Sequence, residues 1–138
     1  MFNKMKKLLI VFGIVLGISG LLWAWTGTPP TCTTDPATLV RIVSATMNGT
    51  CTDDGGADPG CEVEFEWGLT DSYGTETGWS DHDANPIVTN DTFSANLTGL
   101  KSETTYHYRA KIRNASYSAN GADATFKTRR GWYDSSQW

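Results

Sequence analysis

The feature that most limits the fold of this chain is a two-residue alternation of apolar and polar side chains, repeated in short runs. In residues 106–114 the residues Tyr, Tyr, Ala and Ile alternate with His, Arg, Lys and Arg. Residues 62–68, 92–100 and 122–128 alternate in the same way. A period of two places successive side chains on opposite faces of a strand. Each run therefore predicts a strand with one buried and one hydrated face.

Two further segments bring the expected number of strands to about seven. Residues 38–50 predict one or two early strands, and residues 75–80 predict a short edge strand. From Asp35 onward, no segment shows the long 3.6-residue apolar period of an amphipathic helix. Seven short strands in roughly 95 residues are typical of a β-sandwich. The predicted fold class is therefore all-β.

The N-terminus has the charge order of an export signal. Three lysines and no acidic residue lie in residues 1–30, and an apolar run extends from Leu8 to Trp25. As a helix this run is about 27 Å long, which is sufficient to cross a bilayer core with its flanks. Small-x-small cleavage patterns are poor here, which favours an uncleaved signal-anchor over residues 1–25, with a cleaved signal peptide as the alternative. In both cases the lysines keep the N-terminus inside and the following domain is exported.

The rest of the chain divides into a linker, one domain and a tail. Residues 26–34 are rich in Pro and Thr and predict a tether, residues 35–128 hold the strands, and residues 129–138 form a C-terminal tail. All 15 acidic residues lie beyond residue 30, and the chain has a net charge of −4. This acidic balance argues against binding to nucleic acid.

The strand pattern resembles a fibronectin type III domain of the kind found in bacterial, archaeal and phage surface proteins. The resemblance covers about residues 35–128 and is carried by residues 44–56, 63–74, 93–114 and 121–128, with Leu100, Thr104 and Tyr106 at the start of the sixth strand. It implies a seven-stranded immunoglobulin-like sandwich in which the Tyr106 hydroxyl bonds back to the chain. The chain departs from the usual pattern at residues 100–104, where Pro-Gly is common, and in having the pair Cys51 and Cys61. Because this fold serves many roles, the resemblance says little about function.

This resemblance also implies that the third and sixth strands are neighbours in one sheet. The outward residues of residues 62–68 are three glutamates, and those of residues 106–114 are one histidine and three cations. Opposite charges on adjacent strands stabilise a sheet by roughly 0.2–1 kcal/mol per pair. We expect a ladder of surface ion pairs, and a charged binding face is the alternative.

Three cysteines in an exported chain are first of all candidates for disulfides. Cys51 and Cys61 end one predicted strand and begin the next, so a hairpin would bring them together. A Cys51–Cys61 disulfide would close a loop of about 11 residues and contribute roughly 2.5–3 kcal/mol. Cys32 is then left for a bond to another chain or as a free thiol.

The sequence supports a metal site or a catalytic site less well than it supports a disulfide. Asp53, Asp54 and Asp58 could supply oxygen ligands to calcium, but they lack EF-hand spacing, and Asp and Gly are common in hairpin loops. His82 lies between two aspartates in a segment that is by default a polar loop. No motif for a nucleophile elbow or an HExxH metal site is present. We therefore expect no cofactor and no enzymatic activity.

Surface residues offer two further kinds of candidate site. Aromatic side chains are favoured where interfaces are buried, which makes a partner contact or self-packing plausible for the edge segment and the tail. These aromatic residues are Trp79, Trp132, Tyr133 and Trp138. Four sequons mark plausible glycosylation sites if the host glycosylates asparagine, and chance occurrence is the alternative. Their asparagines are Asn48, Asn90, Asn96 and Asn114.

Together these features predict an exported, non-enzymatic module that is held at the membrane by residues 8–25 and acts through protein contacts. Such a module would serve in adhesion or as an accessory subunit of an envelope complex. A first alternative is a secreted subunit of a surface filament or virion, assembled through strand edges or Cys32. A second alternative is a carbohydrate-binding module that stacks sugars on Trp79 and the tail aromatics.

Overall fold

The structure, a computed structural model, describes residues 27–80 and 85–131. The predicted membrane or signal helix, His82 and the tail aromatics Trp132, Tyr133 and Trp138 lie outside the described residues. Within the two described ranges, no helix has the length and apolar character needed to cross a membrane.

Eight strands make up the described part of the chain. They are β1 (Thr31–Thr38), β2 (Ser44–Asp53), β3 (Glu62–Gly68), β4 (Gly74–Glu76), β5 (Thr92–Thr98), β6 (Thr105–Arg113), β7 (Ser118–Asn120) and β8 (Ala124–Lys127).

The strands form two antiparallel sheets. The first has the order β1-β2-β5. The second has the order β4-β3-β6, with β7 and β8 pairing with successive parts of β6 on its other side. The all-β prediction is therefore confirmed, as is the pairing of the third strand with the sixth.

One core joins the two sheets. Met47 on β2 and Tyr108 on β6 are fully buried and belong to the same cluster. Phe65 on β3 lies in this cluster, and its ring centroid is 5.3 Å from that of Phe93 on β5. Every second residue of β6 is buried, which matches the apolar–polar alternation seen in the sequence.

Tyr106 ties the start of β6 to the loop before it. Its hydroxyl oxygen accepts a hydrogen bond of 2.9 Å from the backbone N–H of Lys101. The ring is buried, and its centroid lies 5.8 Å from that of Trp67 and 5.6 Å from that of Phe126. The predicted bond from the Tyr106 hydroxyl back to the chain is confirmed.

The strand count differs from the seven predicted, because β7 precedes the predicted last strand at residues 122–128, which is β8. Residues 118–127 pair with β6 as β7 and β8, and the break lies at residues 121–123. β1 passes closely there: a Cβ on Gly121 would lie 2.4 Å from Thr34 Oγ1. Because Gly121 has no Cβ, the Thr34 hydroxyl occupies this space and accepts a hydrogen bond from the Ala110 N–H. β1 therefore packs into the break.

β1 also begins earlier than the sequence indicated. It starts at Thr31, inside the segment predicted to be a tether, and pairs with β2 from Thr31 to Thr38. β-branched threonines are compatible with a strand even without apolar alternation, since their fit depends on neighbours across the sheet. Residues 39–43, apolar except for Arg41 and predicted to be strand, instead form the loop between β1 and β2, where Leu39 has a positive φ of 48°.

The two sheets have two ends, which we name by their distance from the N-terminal segment. The proximal end holds residues 27–30, 53–61 and 113–117; here the N–H of Thr28 bonds to the Gly55 carbonyl. The distal end holds residues 39–43, 99–104 and 128–131; here the N–H of Arg129 bonds to the Arg41 carbonyl. The described chain therefore enters at one end of the sheets and leaves at the other.

Candidate functional site

The outer face of β3 and β6 carries the predicted ladder of ion pairs. The register places Glu62 opposite Arg113, Glu64 opposite Lys111, and Glu66 opposite Arg109. The carboxylates of Glu62 and Glu66 contact the Nε atoms of their partners, and Lys111 Nζ lies 2.6 Å from Glu64 Oε1. The predicted ladder of ion pairs is confirmed, because each of these charged groups contacts an opposite charge on the neighbouring strand.

Glu64 is the buried member of this ladder. Its side chain is only 1% exposed, and Lys111 beside it is 18% exposed. Lys111 Nζ also lies 2.9 Å from Glu76 on the edge strand β4 and 3.9 Å from Glu66. Burial alone would lower the pKa of Lys111, but the carboxylates of Glu64 and Glu76 outweigh it and raise that pKa. Lys111 is therefore held as a cation between three carboxylates.

Aromatic rings cover part of the ladder. The Trp79 ring lies over two cations: its centroid is 4.2 Å from Arg113 Cζ and 5.4 Å from Lys111 Nζ. The Tyr73 ring lies 4.9 Å from Arg109 Cζ. Cation–π contacts of this kind contribute about 0.5–1 kcal/mol at exposed sites. Trp79, which the sequence offered as a partner contact, is thus half-buried against its own sheet.

Asp123 links the β3–β4 turn to the far edge of the same sheet. It accepts a hydrogen bond of 3.0 Å from the Tyr73 hydroxyl and lies 2.9 Å from His107 Nδ1. Burial and the bond to Asp123 raise the pKa of Tyr73 to about 12. No sequence pattern predicts this contact, because Asp123 lies in the break between β7 and β8.

The three cysteines lie together at the proximal end, in what we call the cysteine cluster (Cys32, Cys51 and Cys61). Cys51 and Cys61 are fully buried in one apolar group, and Cys32 packs against it half-buried. Cys32 is the register partner of Cys51 across β1 and β2. All three are thiols in the structure. The Cys51–Cys61 disulfide therefore stays a prediction, whereas Cys32 is found in a strand rather than in a tether.

Burial governs the acidity of these thiols. It raises the pKa of Cys32 and of Cys61 to about 11, and that of Cys51 to about 12. For Cys51 the neighbouring Cys61 adds to the effect, since two thiolates would repel each other. At neutral pH the cluster is therefore protonated and nonreactive until a thiol opens to solvent.

The acidic loop between Cys51 and Cys61 is held by its own carboxylates. Asp53 accepts a hydrogen bond from the Gly55 N–H, and Asp54 accepts bonds from the N–H groups of Gly56 and Thr89. These are the local contacts that favour Asp in turns. In residues 27–80 and 85–131, no three His, Cys, Asp or Glu side chains are arranged to hold a metal ion. The calcium hypothesis for Asp53, Asp54 and Asp58 gains no support from this geometry.

A cleft of about 450 Å³ lies beside this loop. Its walls are residues 55–60 and 113–116, together with Gly27 and Glu62. The N–H of the Asn114 amide bonds to the Thr28 carbonyl at 3.1 Å, so the start of the described chain runs along its rim.

The four sequon asparagines fall into two groups. The Nδ2 atom of Asn48 donates to the Pro36 carbonyl and that of Asn114 to the Thr28 carbonyl. Asn90 and Asn96 are exposed; Asn90 lies in a turn, and the side-chain Oδ1 of Asn96 accepts a hydrogen bond from the Thr46 hydroxyl. Since glycosylation occurs at Nδ2, the second group is the better placed for it.

The distal end carries a surface that the sequence analysis did not identify as a site. Leu39 is 68% exposed and Val43 is 51% exposed, both in the loop between β1 and β2. Arg41 in the same loop and Arg129 beside it are exposed as well. We call these residues, with Arg130, the distal patch. Residues 39–43 lack the apolar–polar alternation of the strands. This lack of alternation is the sequence signal that some of these side chains are exposed.

No protein-family model matches the sequence, and no curated protein matches it. The solved structures with a similar fold include two of one sensor domain. One is a short form of the sensor domain of the anti-sigma factor RsgI4 from Pseudobacteroides cellulosolvens, with a TM-score of 0.53, 23% identity, and coverage of 74% of this chain and 96% of that one. The other is a solution structure of the same sensor domain, with a TM-score of 0.52, 23% identity, and coverage of 72% and 75%. At this level of identity, what the described domain shares with both is an all-β fold.

Proposed function

We propose that this chain is an exported, membrane-anchored, non-enzymatic interaction module whose distal patch contacts a protein partner. The observation that carries this proposal is the placement of the two ends. The chain enters the sheets at the proximal end, so a helix over residues 8–25 would hold that end toward the membrane. The distal patch would then be the part of the domain presented furthest outward.

The chemistry of the distal patch indicates the kind of partner. Two exposed aliphatic side chains, Leu39 and Val43, lie beside three arginines on a domain that is otherwise acidic. Of these arginines, Arg130 lies 3.9 Å from Glu103. Arginine and apolar side chains are common at the centre of protein interfaces, and local charge complementarity guides the encounter. We infer a partner protein with an acidic surface around an apolar centre.

The fold supports a role in contact rather than in catalysis. The third and sixth strands pair as the resemblance to fibronectin type III domains implies, which supports that assignment. The neighbouring RsgI4 structures are sensor domains, which supports a role in sensing or signalling at the cell surface for this domain as well. Because a fold alone does not fix a function, the decisive test is the patch itself.

The test is co-purification of the full chain from detergent-solubilised membranes of its own host. A partner that is retained by the unaltered chain should be lost with Leu39→Ser and with Arg41→Glu. Val88→Ser is the matched control, because Val88 is also an exposed aliphatic residue but lies near the proximal end. Equal retention by all four proteins would refute the distal patch as the contact surface.

The anchor is tested separately by mass spectrometry of the mature chain. We expect a mature protein that retains residues 8–25 and separates with the membrane fraction. A mature N-terminus near residue 25 would refute the anchor and favour the secreted alternative.

The carbohydrate alternative rests on Trp79 and is less well supported. Its ring is stacked on Arg113 and Lys111, and such packing leaves less aromatic surface for a sugar. A glycan-binding screen with Trp79→Ala as the control decides the question, since a sugar that binds the unaltered chain and not the variant would favour this alternative.

A further inference from the structure

The cysteine cluster has an arrangement that a single disulfide does not explain. Cys51 lies at the end of β2 with a potential partner on each side. Cys32 on β1 is paired with it in register, and Cys61, directly before β3, shares its buried apolar group with Val63, Ile87 and Ile112. Cys32 and Cys61 are thus both neighbours of Cys51.

Both neighbours lie close to Cys51 in the fold. Directly opposite residues of an antiparallel pair have Cα atoms about 4.5–5.5 Å apart, which lies within the usual range for a disulfide, and their side chains share a face. Cys61 is held close by the segment before β5, because its N–H bonds to Ile87 and the backbone of Cys51 bonds to Asn90 and Asp91 in the same segment.

We propose that Cys51 is a shared disulfide partner, so that the exported domain exists in two interchangeable oxidised forms, Cys32–Cys51 and Cys51–Cys61. The first form ties the edge strand β1 to β2, next to the N-terminal segment. The second form closes the acidic loop of residues 51–61. The chain segments that the two disulfides close differ only about twofold in length, so loop entropy does not strongly favour either form.

The chemistry requires one external oxidant, a small-molecule disulfide such as oxidised glutathione. A protein thiolate attacks it, forming a mixed disulfide and releasing one glutathione thiolate. A second protein thiolate then displaces the other glutathione and forms the protein disulfide, and the two protein protons end on the two glutathione thiolates.

Conversion between the forms needs no further oxidant. The Cys32 thiolate attacks Cys51 Sγ of the Cys51–Cys61 disulfide, the bond between Cys32 and Cys51 forms, and the bond between Cys51 and Cys61 breaks. Cys61 leaves as a thiolate and takes up the proton that Cys32 lost. Since the attacking group is the thiolate, the exchange rate is expected to rise about tenfold per pH unit from pH 7 to 9.

The test maps disulfides in the full chain after oxidation by oxidised glutathione, with free thiols blocked by N-ethylmaleimide in acid. Trypsin cuts after Arg41 and not again until Lys101, which separates Cys32 from the other two cysteines. A Cys32–Cys51 disulfide therefore joins two tryptic peptides, whereas a Cys51–Cys61 disulfide lies within one. Cleavage at the aspartates between Cys51 and Cys61 then separates those two.

We expect both pairings in the unaltered chain, and a single pairing in each of two variants. Cys32→Ser should give only Cys51–Cys61, and Cys61→Ser should give only Cys32–Cys51. Cys51→Ser is the discriminating control, because Cys32 and Cys61 should then form no disulfide with each other and should react with N-ethylmaleimide as free thiols. Circular dichroism verifies that each variant is folded.

Three outcomes would overturn the proposal. One is a single pairing in the unaltered chain, which decides the matter even if a variant does not fold. Another is a folded Cys61→Ser variant that retains two free thiols under the same oxidant. The last is a Cys32–Cys61 disulfide that forms in Cys51→Ser in the same yield as the two proposed disulfides form in the other variants. Cys51 would then not be the shared partner.

Discussion

Replacing Lys111 by methionine should reveal how much stability depends on the buried end of the ion-pair ladder. Lys111 Nζ lies 2.6 Å from Glu64, whose side chain is 1% exposed. Methionine keeps an unbranched side chain only one atom shorter than lysine and removes the charge, which leaves the Glu64 carboxylate buried beside an apolar group. Removing one partner of a buried ion pair costs about 3–5 kcal/mol. Because Lys111 is itself 18% exposed, we expect the lower end of this range.

The assay is urea unfolding at pH 7, with thermal unfolding as a second probe. A loss of about 3 kcal/mol in the free energy of unfolding corresponds to a fall in Tm of roughly 12 °C for a domain of this size. Lys127→Met is the matched control. It makes the same chemical change at an exposed position of β8 and should cost less than about 0.5 kcal/mol.

A second change identifies Glu64 as the cause. Adding Glu64→Gln to Lys111→Met removes the unpaired charge, so the double variant should recover about 2 kcal/mol relative to Lys111→Met alone. A cost below about 1 kcal/mol for Lys111→Met, or no recovery in the double variant, would refute the reasoning. The ladder would then be a surface feature of little energetic importance.

Three further predictions test the fold and the thiols. Tyr106→Phe should cost about 1 kcal/mol in urea unfolding, because the Lys101 N–H loses its acceptor; no change would contradict this role. Gly68→Ala should cost more than about 2 kcal/mol, because its Cβ would lie 1.9 Å from the Tyr73 carbonyl oxygen; an unchanged urea midpoint would contradict the tight turn. In reductant, burial raises the pKa of Cys51 from 9.0 to about 12. The buried neutral thiol therefore contributes its full stabilisation of the folded state below pH 9, and this contribution is lost as the pH rises toward 12. The urea midpoint of the unaltered chain should therefore fall more steeply above pH 9 than that of Cys51→Ala, and parallel curves would contradict it.

The alternation of residue types was sufficient to predict the strands that carry the core and the ladder. β3 and β6 have the predicted faces because the chemistry of each side chain, apolar or charged, decides its side of the sheet. The Tyr106 contact was implied by the resemblance to fibronectin type III domains.

The sequence was less informative where local pattern and tertiary contact differ. β1 is rich in threonine and shows no apolar alternation, so its pairing with β2 depends on neighbours that only the folded sheet supplies. The run of residues 39–43 has strand-forming side chains, yet it forms a loop, because the chain must turn from β1 into β2 at that point.

The cysteines show the same division most clearly. Spacing along the chain predicted that a hairpin brings Cys51 near Cys61, and export made a disulfide the first hypothesis. The hairpin was wrong, because β2 and β3 belong to different sheets and the loop between them connects the two sheets. Sequence separation could not place Cys32, because its nearness to Cys51 arises from register between two strands and not from the length of a loop. The sequence by itself thus determined which side chains face inward, since each carries its own hydrophobicity. Only the tertiary structure decided which distant residues meet, because contacts between strands depend on sheet order and register.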